Sequence, residues 1–287
     1  MATTDYLRKR FMPHIWCPGC GLGIVLGSVL RSVEKLGLAK NDVVMICGIG
    51  CSSRMEGYAD FHTLHTLHGR ALAFGTGIKL AWPQLKVLLP MGDGDALAIG
   101  GNHFIHAARR NIDMTAIILN NSIYGMTGGQ NSPLTECGDF ATTAPYGTVD
   151  QPFDTVGLAR SAGATFIART TTYHARMMDS YLVKAITHHG FSVVEVLTQC
   201  PTYYGRKNRK GDAVAMMEYY RDNTVKVKMD ENGWVESKRA AADAPIPIGI
   251  FADREAPEYC DSYAAIVKQH AGEPDAEEAG RTEGGES

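Results

Sequence analysis

The chain lacks any uninterrupted apolar run approaching the roughly 20 residues that span a bilayer as a helix, so no membrane anchor is expected. It also lacks an excess of either charge. Twenty-eight basic side chains against 31 acidic ones leave a formal charge of −3, which offers no general attraction to nucleic acid or anionic lipid. The opening segment, MATTDYLRKRFMPHIW, carries basic residues but no apolar stretch of the kind a secretory signal needs. Cysteine is scarce, and its count of seven is odd. A disulfide framework is therefore not expected, and a cytoplasmic protein is. With 287 residues, 45% of them hydrophobic and 21% charged, the chain can bury a sizeable core as one large domain or two small ones.

What is present is concentrated in residues 91–130. The apolar run Val87-Leu88-Leu89-Pro90-Met91 ends in Gly92-Asp93-Gly94. A helical stretch follows, and a second apolar run, Met114 to Leu119, ends in Asn120-Asn121. In a parallel α/β sheet this order puts Asp93 and Asn121 at the carboxyl ends of two strands, where such sheets bind ligands. Both offer hard oxygen ligands suited to Mg²⁺, which bridges readily to diphosphates. The flanking glycines let the backbone approach a phosphate closely. GDG followed after 25 residues by NN resembles the motif by which thiamine diphosphate (TPP) enzymes hold their cofactor.

Periodicity predicts a helix from Gly21 to about Leu36, a buried strand from Asp42 to Cys47 and a helix from His68 to Ala81. A strand over Lys86–Met91 and a helix over Ala98–Arg110 follow. Residues 121–152, rich in Gly, Thr, Pro and Asn, form a long loop of the kind that is usually functional. Helix and strand then alternate: Phe153–Gly163, Thr165–Ala168, Tyr173–His189, Phe191–Leu197 and a helix over Asp212–Val225. This alternation predicts an α/β fold, a doubly wound and mainly parallel sheet. Ala-Pro-Ile-Pro-Ile at 244–248 reads as an extended arm, and the acidic, glycine-rich tail beyond His270 as disordered.

Trp16-Cys17-Pro18-Gly19-Cys20 invites comparison with a dithiol redox site, in which CxxC caps a helix and one thiol titrates low. The residues before it make no convincing buried strand, and the Pro–Gly order is the reverse of thioredoxin's. The motif can equally be half of a four-thiolate site for zinc or an iron–sulfur cluster. Cys51 and Cys200 both follow predicted strands, on the edge that carries Asp93 and Asn121. Cys17, Cys20, Cys51 and Cys200 are therefore a plausible set, and spacing alone does not choose iron over zinc. Cys47, Cys137 and Cys260 read as core or free thiols. His62, His65 and His68 recur every three residues but lack a metalloprotease signature; a polar turn is expected there, with His68 near the diphosphate. His103 and His106 read as packing residues. The run Arg206, Lys207, Arg209 and Lys210 is either a solvated basic loop or a docking patch for an acidic protein.

Taken together, WCPGCG, GIGCSSR, LHGRALAFGTGIKLA, GDGDALAIGGNHFIHAARRNID, NNSIYGMTGGQ and QCPTYYGRKN resemble the β subunits of 2-oxoacid:ferredoxin oxidoreductases over residues 12–210, most of all those acting on 2-oxoglutarate. The resemblance implies the diphosphate-binding domain fold of TPP enzymes. It implies a [4Fe-4S] cluster on Cys17, Cys20, Cys51 and Cys200, and Mg²⁺ on Asp93, Asn121 and the main-chain carbonyl of Ile123. Gly50, Cys51, Ser52, His68, Gly92, Gly94, Asp95, Gly125, Met126 and Thr127 would complete the cofactor site. The implied reaction is oxidative decarboxylation of 2-oxoglutarate with coenzyme A to succinyl-CoA, electrons leaving through the cluster to ferredoxin. Pyruvate or branched-chain 2-oxoacids are the alternative substrates. The activating glutamate of TPP enzymes belongs to a pyrimidine-binding domain, so a partner α subunit is implied, in an αβ or (αβ)₂ assembly. The expected organisation is a cofactor and cluster domain over 1–210, a helix and arm over 211–270 packed on it or on a partner, and the tail 271–287.

Overall fold

The computed structural model describes residues 2–229, 235–238 and 244–270; the tail lies outside them. Eight strands form one sheet in the order β2-β1-β3-β4-β6-β5-β8-β7. They are β1 (Val43–Cys47), β2 (His62–His65), β3 (Lys86–Gly92), β4 (Met114–Asn120), β5 (Phe166–Thr171), β6 (Phe191–Leu197), β7 (Thr224–Lys226) and β8 (Ile246–Asp253). The first six in spatial order are parallel, and β8 joins β5 antiparallel. The α-helices are α1 (Leu22–Lys35), α2 (Met55–Tyr58), α3 (Ala71–Ala81), α4 (Gly101–Arg110), α5 (Thr155–Ala162), α6 (Ala175–Thr187), α7 (Ala213–Asp222) and α8 (Tyr259–His270), with short 3-10 and π-type turns between elements.

The central strands β1, β3, β4, β5 and β6 are buried on both faces, as strands between two helix layers are. Their side chains divide by parity. Val43, Met45 and Cys47 of β1, Ile117 and Leu119 of β4, and Val194 and Val196 of β6 pack on the side of α1 and α6. Val44 and Ile46, Ala116 and Ile118, and Phe191 and Val193 face the side of α3, α4 and α5. The sheet is doubly wound, as the alternation predicted. Helix α1 earns its place through Leu22, Val25, Leu26, Val29, Leu30 and Val33, all buried on one stripe.

Three elements differ from expectation. His62–His65 form the edge strand β2, paired in parallel with β1, rather than a polar turn. A strand covered on one side only tolerates polar residues, so its sequence carries no apolar run. The segment after Asp93 does not turn and restart: Gly94–Ile99 winds in wide π-type turns directly into α4, which delays the regular helix from 98 to 101. The arm at 244–248 enters β8, which covers the β5 edge of the sheet.

Candidate active site

The chain leaves β1 for β2 on one side, whereas β3 continues to β4 on the other. This makes the gap between β1 and β3 the switch point of the sheet, where a crevice opens at the carboxyl ends. The two strands pair only over Val43–Met45 and Lys86–Leu88. Pro90, which has no N–H to offer a neighbour, falls just beyond.

A cleft enclosing about 520 Å³, part of it open to solvent, occupies this crevice. Gly50, Cys51 and Ser52 reach it from the turn after β1, and His68 from the turn before α3. Gly92, Asp93, Gly94 and Asp95 come from the end of β3; Asn121, Ile123, Gly125, Met126 and Thr127 come from the loop after β4. Leu22, Ile49, Leu119 and Tyr124 complete the wall. His103 and His106 do not line it.

Asp93 is buried, with Oδ1 accepting from Gly94 N at 3.0 Å and Oδ2 from Ser132 Oγ at 2.6 Å. Burial pushes its carboxyl up to about 7, against the pull of those hydrogen bonds. A carboxylate held in this way gains from a cation, and no cationic side chain pairs with it among the described residues. Asp95, also buried, accepts from Gly69 N at 2.6 Å and Ile49 N at 3.3 Å through Oδ1. Among the described residues its Oδ2 and Ser52 Oγ are buried without hydrogen-bond partners, as is His68 Nδ1, which stands 3.5 Å from Asp95 Oδ1. Orphaned polar atoms lining one cleft fit a polar, bridging ligand. The glycines have their own reasons. A Cβ on Gly94 would stand 2.0 Å from the Tyr124 ring, and one on Gly48 2.3 Å from Asp95 Oδ2.

A second cavity, of about 710 Å³, is lined by Ile15, Trp16, Cys17, Cys20, Cys51, Arg54 and Cys200, among others. It shares Cys51, Asn121, Gly125 and Met126 with the first. Cys51 Sγ and Cys200 Sγ lie 3.5 and 3.8 Å from the position of a Cβ on Gly125. Trp16 Nε1 donates to the Cys51 carbonyl at 2.7 Å and ties the CxxC arm to the β1 turn. Burial first, then the neighbouring thiols, pushes Cys20 up to about 12 and Cys51 to about 11. Cys47 and Cys260 are buried elsewhere and Cys137 is exposed. Sequence reasoning assigned no role to Trp16, Tyr124 or Ser132; Trp16, inside WCPGCG, and Tyr124, inside NNSIYG, stood in quoted motifs, whereas Ser132 carried no signal.

Fold and cleft together define a thiamine diphosphate enzyme: residues 48–196 match the family model of the thiamine pyrophosphate enzyme C-terminal TPP binding domain. The chain is 48% identical to the 2-oxoglutarate synthase subunit KorB of Methanothermobacter marburgensis, over 94% of this chain and 93% of that protein. It is 49% identical to the subunit of the same name from Archaeoglobus fulgidus, over 90% and 91%. Among solved structures it resembles 2-oxoglutarate:ferredoxin oxidoreductase from Magnetococcus marinus with 2-oxoglutarate, coenzyme A and succinyl-CoA bound. The TM-score is 0.85 at 32% identity, covering 100% of this chain and 97% of that one. The chain belongs to the KorB family of 2-oxoglutarate synthase subunits.

Proposed function

We propose that this chain is the cofactor-binding β subunit of a 2-oxoglutarate:ferredoxin oxidoreductase, which with coenzyme A converts 2-oxoglutarate to succinyl-CoA and CO₂. The observation that carries the reading is the shared wall: Cys51, Asn121, Gly125 and Met126 border both the diphosphate cleft and the cysteine cavity. Bound thiamine diphosphate supplies the electron sink for decarboxylation. Asp93, Asn121 and the Ile123 carbonyl would hold Mg²⁺, and Ser52, His68, Asp95 and Thr127 would surround the diphosphate. Cys17, Cys20, Cys51 and Cys200 would hold a [4Fe-4S] cluster. Among the described residues no three of these sulfurs lie within 4.8 Å of one another.

Among the described residues, which form one α/β unit, the pyrimidine half of the site has no counterpart, and we infer a partner α subunit in an αβ or (αβ)₂ assembly, with ferredoxin as electron acceptor. Among the described residues no helix is long and apolar enough to cross a membrane; we place the enzyme in the cytoplasm. The test separates the two cavities in the complex with its partner. Asp93→Ala is expected to lose thiamine diphosphate and keep the iron and the visible absorbance, whereas Cys200→Ser loses the absorbance. Both lose 2-oxoglutarate-dependent reduction of ferredoxin. Thiamine diphosphate retained at full occupancy in Asp93→Ala would overturn the assignment. Faster turnover with pyruvate or 2-oxoisovalerate than with 2-oxoglutarate would move the substrate.

A further inference from the structure

Glu195 stands in the middle of the sheet, 2% exposed, between two valines of β6. A charge there carries a desolvation penalty, and a buried ion pair is by itself weak evidence of stability. Its contacts say what it holds. Oε2 accepts from Arg169 Nε of β5 at 2.6 Å; Oε1 accepts from Thr155 Oγ1 at 2.8 Å and from Asn120 Nδ2 at 2.9 Å. The register sets Arg169 opposite Glu195 on one side and Ile118 opposite it on the other. Asn120, two residues on, shares that face. Arg169 is held in turn by Asp154 Oδ1 at 3.2 Å and by the Ser237 carbonyl at 2.7 Å.

A carboxylate bound to a guanidinium only accepts hydrogen bonds. Asn120 must therefore offer Glu195 its Nδ2, and this turns its Oδ1 toward Ser122. That oxygen accepts from Ser122 N at 3.2 Å and from Ser122 Oγ at 3.3 Å. Ser122 meanwhile takes a φ of +58°, a conformation uncommon outside glycine. The next residue repeats the turn, with Asn121 Oδ1 accepting from Ile123 N at 3.2 Å. On the far side Thr135 Oγ1 donates to the Ser122 carbonyl at 2.7 Å and accepts from Ser132 N at 2.8 Å. The Ser132 hydroxyl in turn donates to Asp93. One connected chain thus runs from Arg169 to Asp93 by way of Glu195, Asn120 and the double turn.

We infer that Glu195, backed by Arg169, is a positioning residue for the metal of the cofactor. It fixes the amide orientation of Asn120, and with it the turn that presents Asn121 and the Ile123 carbonyl beside Asp93. This rests on the proposed function, which takes those three residues as the holders of Mg²⁺. Glu195 does not line the cleft that holds Asp93 and Asn121.

The probe is Mn²⁺ titrated into the complex with its partner subunit at fixed thiamine diphosphate, free metal being read by electron paramagnetic resonance. Glu195→Gln keeps the shape but leaves the paired amides free to flip, and is expected to weaken Mn²⁺ binding about tenfold, the lower end for residues behind a ligand. Asn120→Ala removes the link without disturbing the ion pair and is expected to give the same shift. The double variant is expected to give no more than either alone, because both act through one contact. A purely structural role would lower the melting temperature of the metal-free complex and leave the Mn²⁺ midpoint of the folded fraction unchanged. That result, or shifts that multiply in the double variant, would sink the inference while wild type and Asp93→Ala still differ. Equal Mn²⁺ binding by wild type and Asp93→Ala would instead sink the proposed site, and the inference with it. Should Glu195→Gln fail to fold, Asn120→Ala carries the test alone.

Discussion

Gly94 shows how a single residue ties the fold to the cofactor site. Its N–H caps Asp93 Oδ1, and its missing Cβ is what lets the Tyr124 ring cover the turn. Gly94→Ala is expected to cost about 1–3 kcal/mol, as overpacked positions do, and to weaken thiamine diphosphate binding. Adding Tyr124→Ala should restore the stability, because the clashing ring is gone; chemical denaturation of the two variants checks this. The GDG signal was legible because it is local, three residues at a strand end. Ser132, which holds the other oxygen of the same carboxylate, lies in an irregular loop with no spacing rule to betray it. A second residue-scale effect concerns pH. His188, whose Nε2 lies 2.7 Å from Thr165 Oγ1, is lowered from its ordinary 6.5 mainly by burial, with His189 and Arg254 adding to the effect and Asp253 and Asp113 opposing it. The unfolded chain takes up that proton as the pH falls below 6.5 while the folded chain withholds it, so stability is lost on acidification through that window. A thermal midpoint that falls between pH 7 and pH 5 in wild type should fall less in His188→Gln. Equal slopes would show that His188 has no part in the acid sensitivity.

Elements were legible in proportion to how fully they are buried. The central strands β1, β3, β4 and β6 announce themselves as apolar runs because helices cover both faces. The edge strand β2 reads His-Thr-Leu-His and gives no such signal, since what makes it a strand is the neighbouring β1 backbone. Strand β8 begins Ile-Pro-Ile and so looked like an arm; its one proline, Pro247, pairs with Val225 of the short β7 and lies before the stretch that pairs with β5, where a missing N–H is tolerated. The helix after GDG was foreseen but not its π-type start over Gly94–Ile99, which has no marker in the residue pattern. β8 also closes the core. Phe251 is 1% exposed, and the Arg169 guanidinium stands 5.5 Å from its ring. Phe251→Ala is expected to cost about 3–5 kcal/mol, read as a lower urea midpoint. A loss below 1 kcal/mol would mean that β8 adds little to the sheet it borders.

At the scale of the whole molecule, the proposed transfer to ferredoxin needs a way out of the cysteine cavity. Cys17 is exposed and Cys20 half-buried, so the cysteine cavity meets solvent at the CxxC turn. A Cβ on Gly19, between those cysteines, would meet Ala213 at 2.3 Å and Pro201 at 3.7 Å. These two residues bracket the basic loop in sequence, which therefore hangs beside the turn. Lys210 is drawn to Asp139, 3.6 Å away, but Arg206, Lys207 and Arg209 are exposed and make no ion pair among the described residues. In a chain with a formal charge of −3, three unneutralised cations next to the proposed cluster form a local field that an acidic ferredoxin would follow. A solvated loop would show no such dependence. Reversing the three charges to glutamate in the complex is expected to slow ferredoxin reduction about tenfold or more at low salt, as the loss of electrostatic steering does. The gap to wild type should narrow as salt screens the field over about 10 Å at 0.1 M. Reduction of a small neutral dye should proceed at the wild-type rate, because the dye needs the electrons but not the docking surface. Equal slowing with dye and with ferredoxin would mean that the substitutions damage the cysteine pocket itself. A ferredoxin rate untouched at low salt would leave these cations to the solvent and move the docking face elsewhere.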